Sequence, residues 1–145
     1  MDDLPLPILL VDDHAKLARL VIELLSRLGY PEVDEAREGG EALAMLGRKP
    51  YGLVISDLDM KPMDGMQLLK AIRSDKALAS VPVIITESGF TFEQVNAAHH
   101  MGADAFLLKP FDLPLFKSKL KSVMSRGGRR RERSGRPSTA GLGLA

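Results

Sequence analysis

Five side chains capable of chemistry stand at the ends of short apolar runs in this sequence. Ile8-Leu9-Leu10-Val11 ends in Asp12 and Asp13, and Leu53-Val54-Ile55 leads to Asp57. Val81-Pro82-Val83-Ile84-Ile85 ends at Thr86, and Ala105-Phe106-Leu107-Leu108 ends at Lys109. Taken singly, Asp57 reads better as a loop carboxylate capping a turn than as a nucleophile or metal ligand. The set together is more specific. Three carboxylates in one place repel unless a cation neutralises them, and a hard dication with oxygen ligands suits them. Mg²⁺ accepts one or two carboxylates, keeps several waters and leaves room for a phosphate oxygen. The Thr86 hydroxyl and the Lys109 ammonium are the further donors a transferring phosphoryl group needs. This is the constellation of a phosphoryl-transfer site with a carboxylate nucleophile.

That chemistry requires an architecture that brings the run ends to one edge. Leu17, Leu20, Val21, Leu24, Leu25 and Leu28 recur at helical spacing up to Gly29, and these leucines are expected in the core. A more polar segment, residues 33–36, reads as an edge strand, and a helix carrying Ala42, Leu43, Met45 and Leu46 follows Gly39-Gly40. Gly39-Gly40 lacks the fingerprint of a nucleotide-binding loop. The run at Leu53 reads as a buried parallel strand. Lys61-Pro62 enforces a non-helical turn, and Asp64 with Gln67 caps the helix bearing Met66, Leu68, Leu69 and Ile72. Thr91 with Gln94 opens a fourth helix that Gly102 closes, and Asp112 caps a last one bearing Phe116, Leu120 and Val123. Five strand–helix units with short connections give a parallel sheet with helices on both faces, a doubly wound α/β domain. In such a sheet the carboxyl ends of the strands border one crevice.

A chain of 145 residues is one domain's worth, and 45% hydrophobic with 27% charged residues is an ordinary globular balance. The absence of cysteine excludes a disulfide scaffold and thiolate metal sites. No apolar run approaches the roughly 20 residues that span a bilayer. The start, Met1-Asp2-Asp3, carries no secretory signal, so a cytoplasmic location is the expectation. Beyond Ser125, six arginines stand against Glu132, a net of +5, so the overall +1 leaves −4 on the rest. We expect a globular domain over residues 1–125 and a disordered Arg/Gly/Ser-rich tail over 126–145. Such a tail could touch nucleic acid or an anionic membrane, but a solvated linker is favoured.

The motifs Val11-Asp12-Asp13-His14, Asp57-Leu58-Asp59-Met60 through Pro62-Met63-Asp64-Gly65, Ile85-Thr86 and Lys109-Pro110 stand in order at successive strand ends. Over about residues 6–124 they resemble the receiver domain of bacterial two-component response regulators. The resemblance implies a (βα)5 flavodoxin-like fold with strand order 2-1-3-4-5. It implies that Asp57 accepts a phosphoryl group from a sensor histidine kinase or a histidine phosphotransfer protein. Asp13 and Asp57 would hold Mg²⁺ with the backbone carbonyl of Asp59, and Asp12 would act mostly through a coordinated water. Thr86 would hydrogen-bond the phosphoryl group and move with it. Lys109 would pair with the carboxylate at rest and with the phosphate when modified. Phe106 would stand at the aromatic switch position, and the Lys109-Pro110 bond would be cis.

Such a receiver is no enzyme towards other molecules; it catalyses its own phosphorylation and dephosphorylation. With no DNA-binding domain in the sequence, its output is expected to be contact with a downstream protein, through the fourth helix, fifth strand and fifth helix. Three departures from the family pattern stand out. Glu87, followed by Ser88, replaces the usual small residue after Thr86 and is expected at the rim of the phosphoryl site, or drawn to Lys109. Asp59 is acidic where members vary. Phe106 lacks the hydroxyl of the common tyrosine, which favours its inward position. Two other readings compete: a receiver impaired in phosphorylation and used as a binding module, and an Asp-x-Asp phosphatase of the haloacid-dehalogenase type. The second would place its motif on the first strand. His99-His100 resemble a metal pair, but neighbours on a helix point about 100° apart, so surface histidines are expected.

Overall fold

The computed structural model describes residues 6–89 and 91–134. Strands β1 (Ile8–Val11), β2 (Val33–Ala36), β3 (Leu53–Asp57), β4 (Val83–Glu87) and β5 (Ala105–Leu108) alternate with five helices. These are α1 (Ala15–Arg27), α2 (Gly39–Leu46), α3 (Gly65–Ser74), α4 (Phe92–Met101) and α5 (Leu113–Ser134). All strand pairings are parallel, in the order β2-β1-β3-β4-β5. The doubly wound, flavodoxin-like sheet is the one expected, with the polar β2 at an edge.

Alternation along the strands divides the core in two. Leu9, Val11, Val54, Val83 and Ile85 pack with Ala42, Leu46, Leu68, Leu69 and Ile72 of α2 and α3. Ile8, Leu10, Leu53, Ile55, Ile84 and Leu107 pack with Ala18, Val21 and Leu25 of α1 and with Phe116, Leu120 and Val123 of α5. Burial on both faces is why the inner strands read as continuous apolar runs.

Helix ends follow the sequence signals. Asp64 with Gln67 and Thr91 with Gln94 form reciprocal capping boxes, and Asp112 accepts the Leu115 N–H at 2.9 Å. Gly29 and Gly102 take φ of +97° and +104° just past α1 and at the end of α4, a region open to a residue without Cβ. The Lys109-Pro110 bond is cis, as the resemblance implies, and so is Lys61-Pro62.

Three features differ from the sequence reading. Leu17 and Leu20 are 38% and 59% exposed, because α1 meets the sheet through Ala18, Val21 and Leu25. Six apolar positions on that helix span a wider arc than one sheet face can cover. Next, β4 runs one residue past Thr86, since the Glu87 carbonyl accepts the Lys109 N–H at 2.8 Å and prolongs the ladder. Finally, α5 continues beyond Ser125 to Ser134. Residues 135–145 of the expected tail lie outside the described residues.

A buried ion pair ties several turns together. Arg73 of α3 donates to the carbonyls of Ala79, Val81 and Gly102 and pairs with Asp104 at 2.9 Å. The same Asp104 oxygen accepts the Val83 N–H at 2.8 Å. One guanidinium thus links α3, the approach to β4 and the approach to β5.

Candidate functional site

Register brings the strand tips together. Val11 pairs with Ser56, so Asp12 falls beside Asp57, and Asp57 itself pairs with Thr86. Glu87 pairs with Leu108, which sets Lys109 just past the end of the same row. Alternation then puts Asp12, Asp57, Thr86 and Lys109 on the α1 and α5 side of the sheet, where Leu10, Ile55, Ile84 and Leu107 lie.

The loop after Asp57 is fixed from two directions. Gly65 donates its N–H to the Leu58 carbonyl at 2.9 Å. A Cβ on Gly65 would meet the Asp57 carbonyl and stand 2.9 Å from the Leu58 Cα, so glycine lets α3 begin against the end of β3. From the other side, the Glu38 carboxylate caps α2 through the N–H groups of Gly40 and Glu41 and lies 3.4 Å from the Met63 nitrogen. Gly39 adds an N–H to the Met63 carbonyl at 3.1 Å.

Within this frame the Lys109 ammonium lies 3.3 Å from Asp57 Oδ1 and 3.6 Å from Asp12 Oδ2. The Asp57 side chain is 2% exposed, and its Oδ1 also accepts the Leu58 N–H at 3.0 Å. Burial pushes the Asp57 carboxyl up to about 6; Lys109 pulls it down, while Asp12 and Glu87 push it up. Oxygens of Asp12, Asp13 and Asp57 and a nitrogen of His14 all lie within 4.8 Å of one another. One ammonium against three carboxylates leaves a negative excess, and the oxygen-rich donor set suits a hard divalent ion such as Mg²⁺. The residues present therefore fit that metal.

Sequence reasoning gave His14 no role. Its Nδ1 lies 3.0 Å from Asp13 Oδ1, and its backbone N–H donates to Asp12 Oδ1 at 2.9 Å. The available signal was its place directly after the acid pair, at the N-cap of α1. Thr86 is buried beside Asp57, whereas the Asp59 side chain is exposed outside the acidic cluster. Phe106 is half-buried against the α2 and α3 side of the core, across the sheet from Lys109. His99 and His100 are exposed, and His100 Nδ1 is bonded at 2.9 Å to the Asn96 carbonyl.

Glu87 does not take Lys109 from Asp57: among the described residues that ammonium pairs with Asp12 and Asp57. The Glu87 carboxylate accepts the Ser88 N–H at 3.0 Å, and its charge is felt at Asp57. Two like charges about 6 Å apart at an effective dielectric near 20 repel by roughly 3 kcal/mol before solvent screening. The same repulsion would act on any anionic phosphodonor brought to this edge. Glu87→Ala is therefore expected to speed labelling by acetyl phosphate severalfold at low salt, with the gap narrowing at high salt. Equal rates at low salt would show that Glu87 is silent.

The chain belongs to the response regulator receiver domain family, whose model matches residues 8–121. It is 36% identical over 119 residues to the chemotaxis protein CheY-3 of Vibrio cholerae, covering 82% of this chain and 92% of that protein. It is 32% identical to the chemotaxis protein CheY of Pseudomonas aeruginosa, covering 82% and 96% of the two chains. The receiver domain of a signal-transduction histidine kinase from Syntrophus aciditrophicus superposes with a TM-score of 0.76 at 30% identity, covering 83% of this chain and 91% of that one. This is a CheY-like receiver domain of two-component systems. Asp57 ends the third strand, not the first as the dehalogenase-type phosphatase reading requires.

Proposed function

We propose that this receiver is a working phosphoacceptor, taking a phosphoryl group from a phosphohistidine onto Asp57. The observation that carries the reading is the buried Asp57 carboxylate set between Asp12 and Thr86 with Lys109 at 3.3 Å. An Asp57 carboxylate oxygen would attack phosphorus in line as the P–N bond to the donor imidazole breaks and the imidazole leaves. Lys109 would then turn from the carboxylate to the phosphoryl oxygens, and the Thr86 hydroxyl would donate to them. Asp12, Asp13 and Asp57, with the Asp59 carbonyl, would hold Mg²⁺. A bound ion of this kind supplies positive charge against the phosphoryl oxygens. The donor is a sensor histidine kinase or a histidine phosphotransfer protein, and the reading places the chain in the cytoplasm. Among the described residues no helix is long and apolar enough to cross a membrane. The chain acts on no other substrate.

A groove of about 550 Å³ supports this donor approach. Exposed Leu17 and Leu20 line it together with Ser88, Lys109 and Phe111, next to the acceptor edge. A helical donor can rest its apolar ridge there and present its histidine to Asp57. The test is intact-mass analysis after incubation with acetyl phosphate and Mg²⁺. One added phosphoryl group is expected, lost on chelation; labelling that ignores chelation contradicts the metal role.

Output is proposed through α4, β5 and α5. Thr86 and Phe106 belong to the strands bordering that face, so a phosphoryl group that draws Thr86 inward can bias packing there. Amide-exchange changes on phosphorylation should concentrate at residues 87–120, towards a downstream protein partner. Changes confined to α1 would overturn this assignment.

A further inference from the structure

We infer that His14 is a further metal ligand at the acceptor edge, one that turns an oxygen site towards nitrogen-favouring dications such as Co²⁺, Ni²⁺ and Zn²⁺. The inference rests on the reading that Asp13 and Asp57 hold a dication. Strand β1 ends at Val11 and α1 begins at Ala15, so Asp12, Asp13 and His14 form the whole turn between them. His14 is the N-cap of α1, a place where Ser, Thr, Asp or Asn normally bonds the first-turn N–H groups. The histidine makes no such side-chain bond. Its ring turns to the acids instead, with Nδ1 3.0 Å from Asp13 Oδ1 and 3.4 Å from Asp12 Oδ1. The backbone holds it there, since the His14 backbone N–H donates to Asp12 Oδ1 at 2.9 Å.

These spacings match a coordination shell. Adjacent ligands stand about 3.0 Å apart on an octahedral ion with bonds near 2.1 Å, and about 3.4 Å apart on a tetrahedral one. An Asp57 oxygen lies within 4.8 Å of a His14 ring nitrogen, and opposite ligands on an octahedral ion are about 4.2 Å apart. The His14 side chain is 63% exposed, so the ring has room for the small movement that closes this gap. A hydrogen bond to Asp13 accounts for one of these distances, whereas a shell accounts for all of them. Carboxylate oxygens alone suit Mg²⁺, but an imidazole nitrogen favours the later first-row dications. With Asp13, Asp57 and the Asp59 carbonyl as oxygen ligands, an octahedral ion retains positions for waters and a phosphoryl oxygen. His14 would replace one of the waters and leave the phosphoryl position open. The other histidines of the chain, His99 and His100, lie at the end of α4, outside the acidic cluster.

The test uses the full chain and the metal alone, with no phosphodonor present. Co²⁺ is titrated and counted where excess Mg²⁺ displaces it, which confines the signal to the acid cluster. An imidazole bound to Co²⁺ gives ring-proton resonances far outside the ordinary spectrum. One such ring is expected, and it should vanish in His14→Ala. Disturbing even a supporting group around a metal costs about 10- to 100-fold in affinity, so losing a ligand should cost no less. The Ala variant is therefore expected to lose at least about tenfold for Co²⁺, while its Mg²⁺ affinity changes less than about threefold. His14→Asn, whose side chain can cap α1, should show the same loss with an unchanged or raised melting temperature, which separates ligation from a fold effect. Mg²⁺ binding with no shifted ring, or an Ala variant that binds Co²⁺ unchanged, overturns the inference and leaves the metal reading of the acids intact. An Ala variant that binds both ions more tightly would make His14 a counter-charge to the acids, and overturns it as well. If neither ion binds the unaltered chain, the metal reading and the inference fall together.

Discussion

Arg73→Ala is expected to cost about 3–5 kcal/mol of stability, although Arg73 belongs to no reactive site. Asp104, its partner, has a side chain only 1% exposed. Removing the guanidinium takes the cation from that buried carboxylate, to which the Val83 N–H still donates. It also takes the shared donors from the carbonyls of Ala79, Val81 and Gly102. Breaking a buried pair from one side costs more than the pair itself contributes, because an uncompensated charge is left behind. For a domain of this size the loss corresponds to a fall in Tm on the order of 10 °C or more. Arg73→Lys should land between the two, keeping the charge but losing the fork. Urea denaturation at neutral pH measures it. A loss below about 1 kcal/mol would mean that the three turns hold without the clamp.

Asp57→Asn is expected to abolish labelling and yet to raise stability at pH 7 by about 1–2 kcal/mol. The sign follows from the direction of the shift. Burial and the neighbouring Asp12 raise the Asp57 carboxyl from 3.8 to about 6 in the folded chain. The folded state therefore holds that proton more tightly than the unfolded one. The resulting stability is fully present below about pH 4 and is lost as pH rises through about 6. A two-unit shift corresponds to roughly 3 kcal/mol, which solvent at the open rim reduces. Asparagine carries no charge at either pH, so the two proteins should melt alike near pH 4 and separate between 4 and 6. Added Mg²⁺ should narrow the gap at pH 7, because a ligand of the ionised site favours the folded chain. An Asn variant less stable than the parent at pH 7 would refute this account of the site's electrostatics.

The strand tips were legible because parallel strands buried on both faces leave continuous apolar runs, and each run stops at a polar residue. Capping boxes at Asp64 and Thr91 were legible for a similar reason: their partners are three residues away. The Arg73–Asp104 pair joins residues 31 apart and leaves no periodic trace. Leu17 and Leu20 read as core because hydrophobicity reports that a residue can be buried, not that the sheet reaches it. His14 stands in the first motif but its contacts were not legible, since they depend on how the N-cap turn folds back on the acid pair. The Arg/Gly/Ser-rich composition beyond Ser125 offers nothing to bury and so reads as a tail, while α5 continues to Ser134, since composition is a weak guide to where a helix stops.

The most direct test of the central claim is the position of the phosphoryl group. Labelled protein is reduced with borohydride, which converts an aspartyl phosphate to homoserine, and its peptides are sequenced by mass spectrometry. The account predicts homoserine at residue 57 and at no other aspartate, with none formed when Mg²⁺ is withheld. Homoserine at Asp12, Asp13 or Asp59, or phosphate that survives on the Asp57→Asn variant, would contradict it.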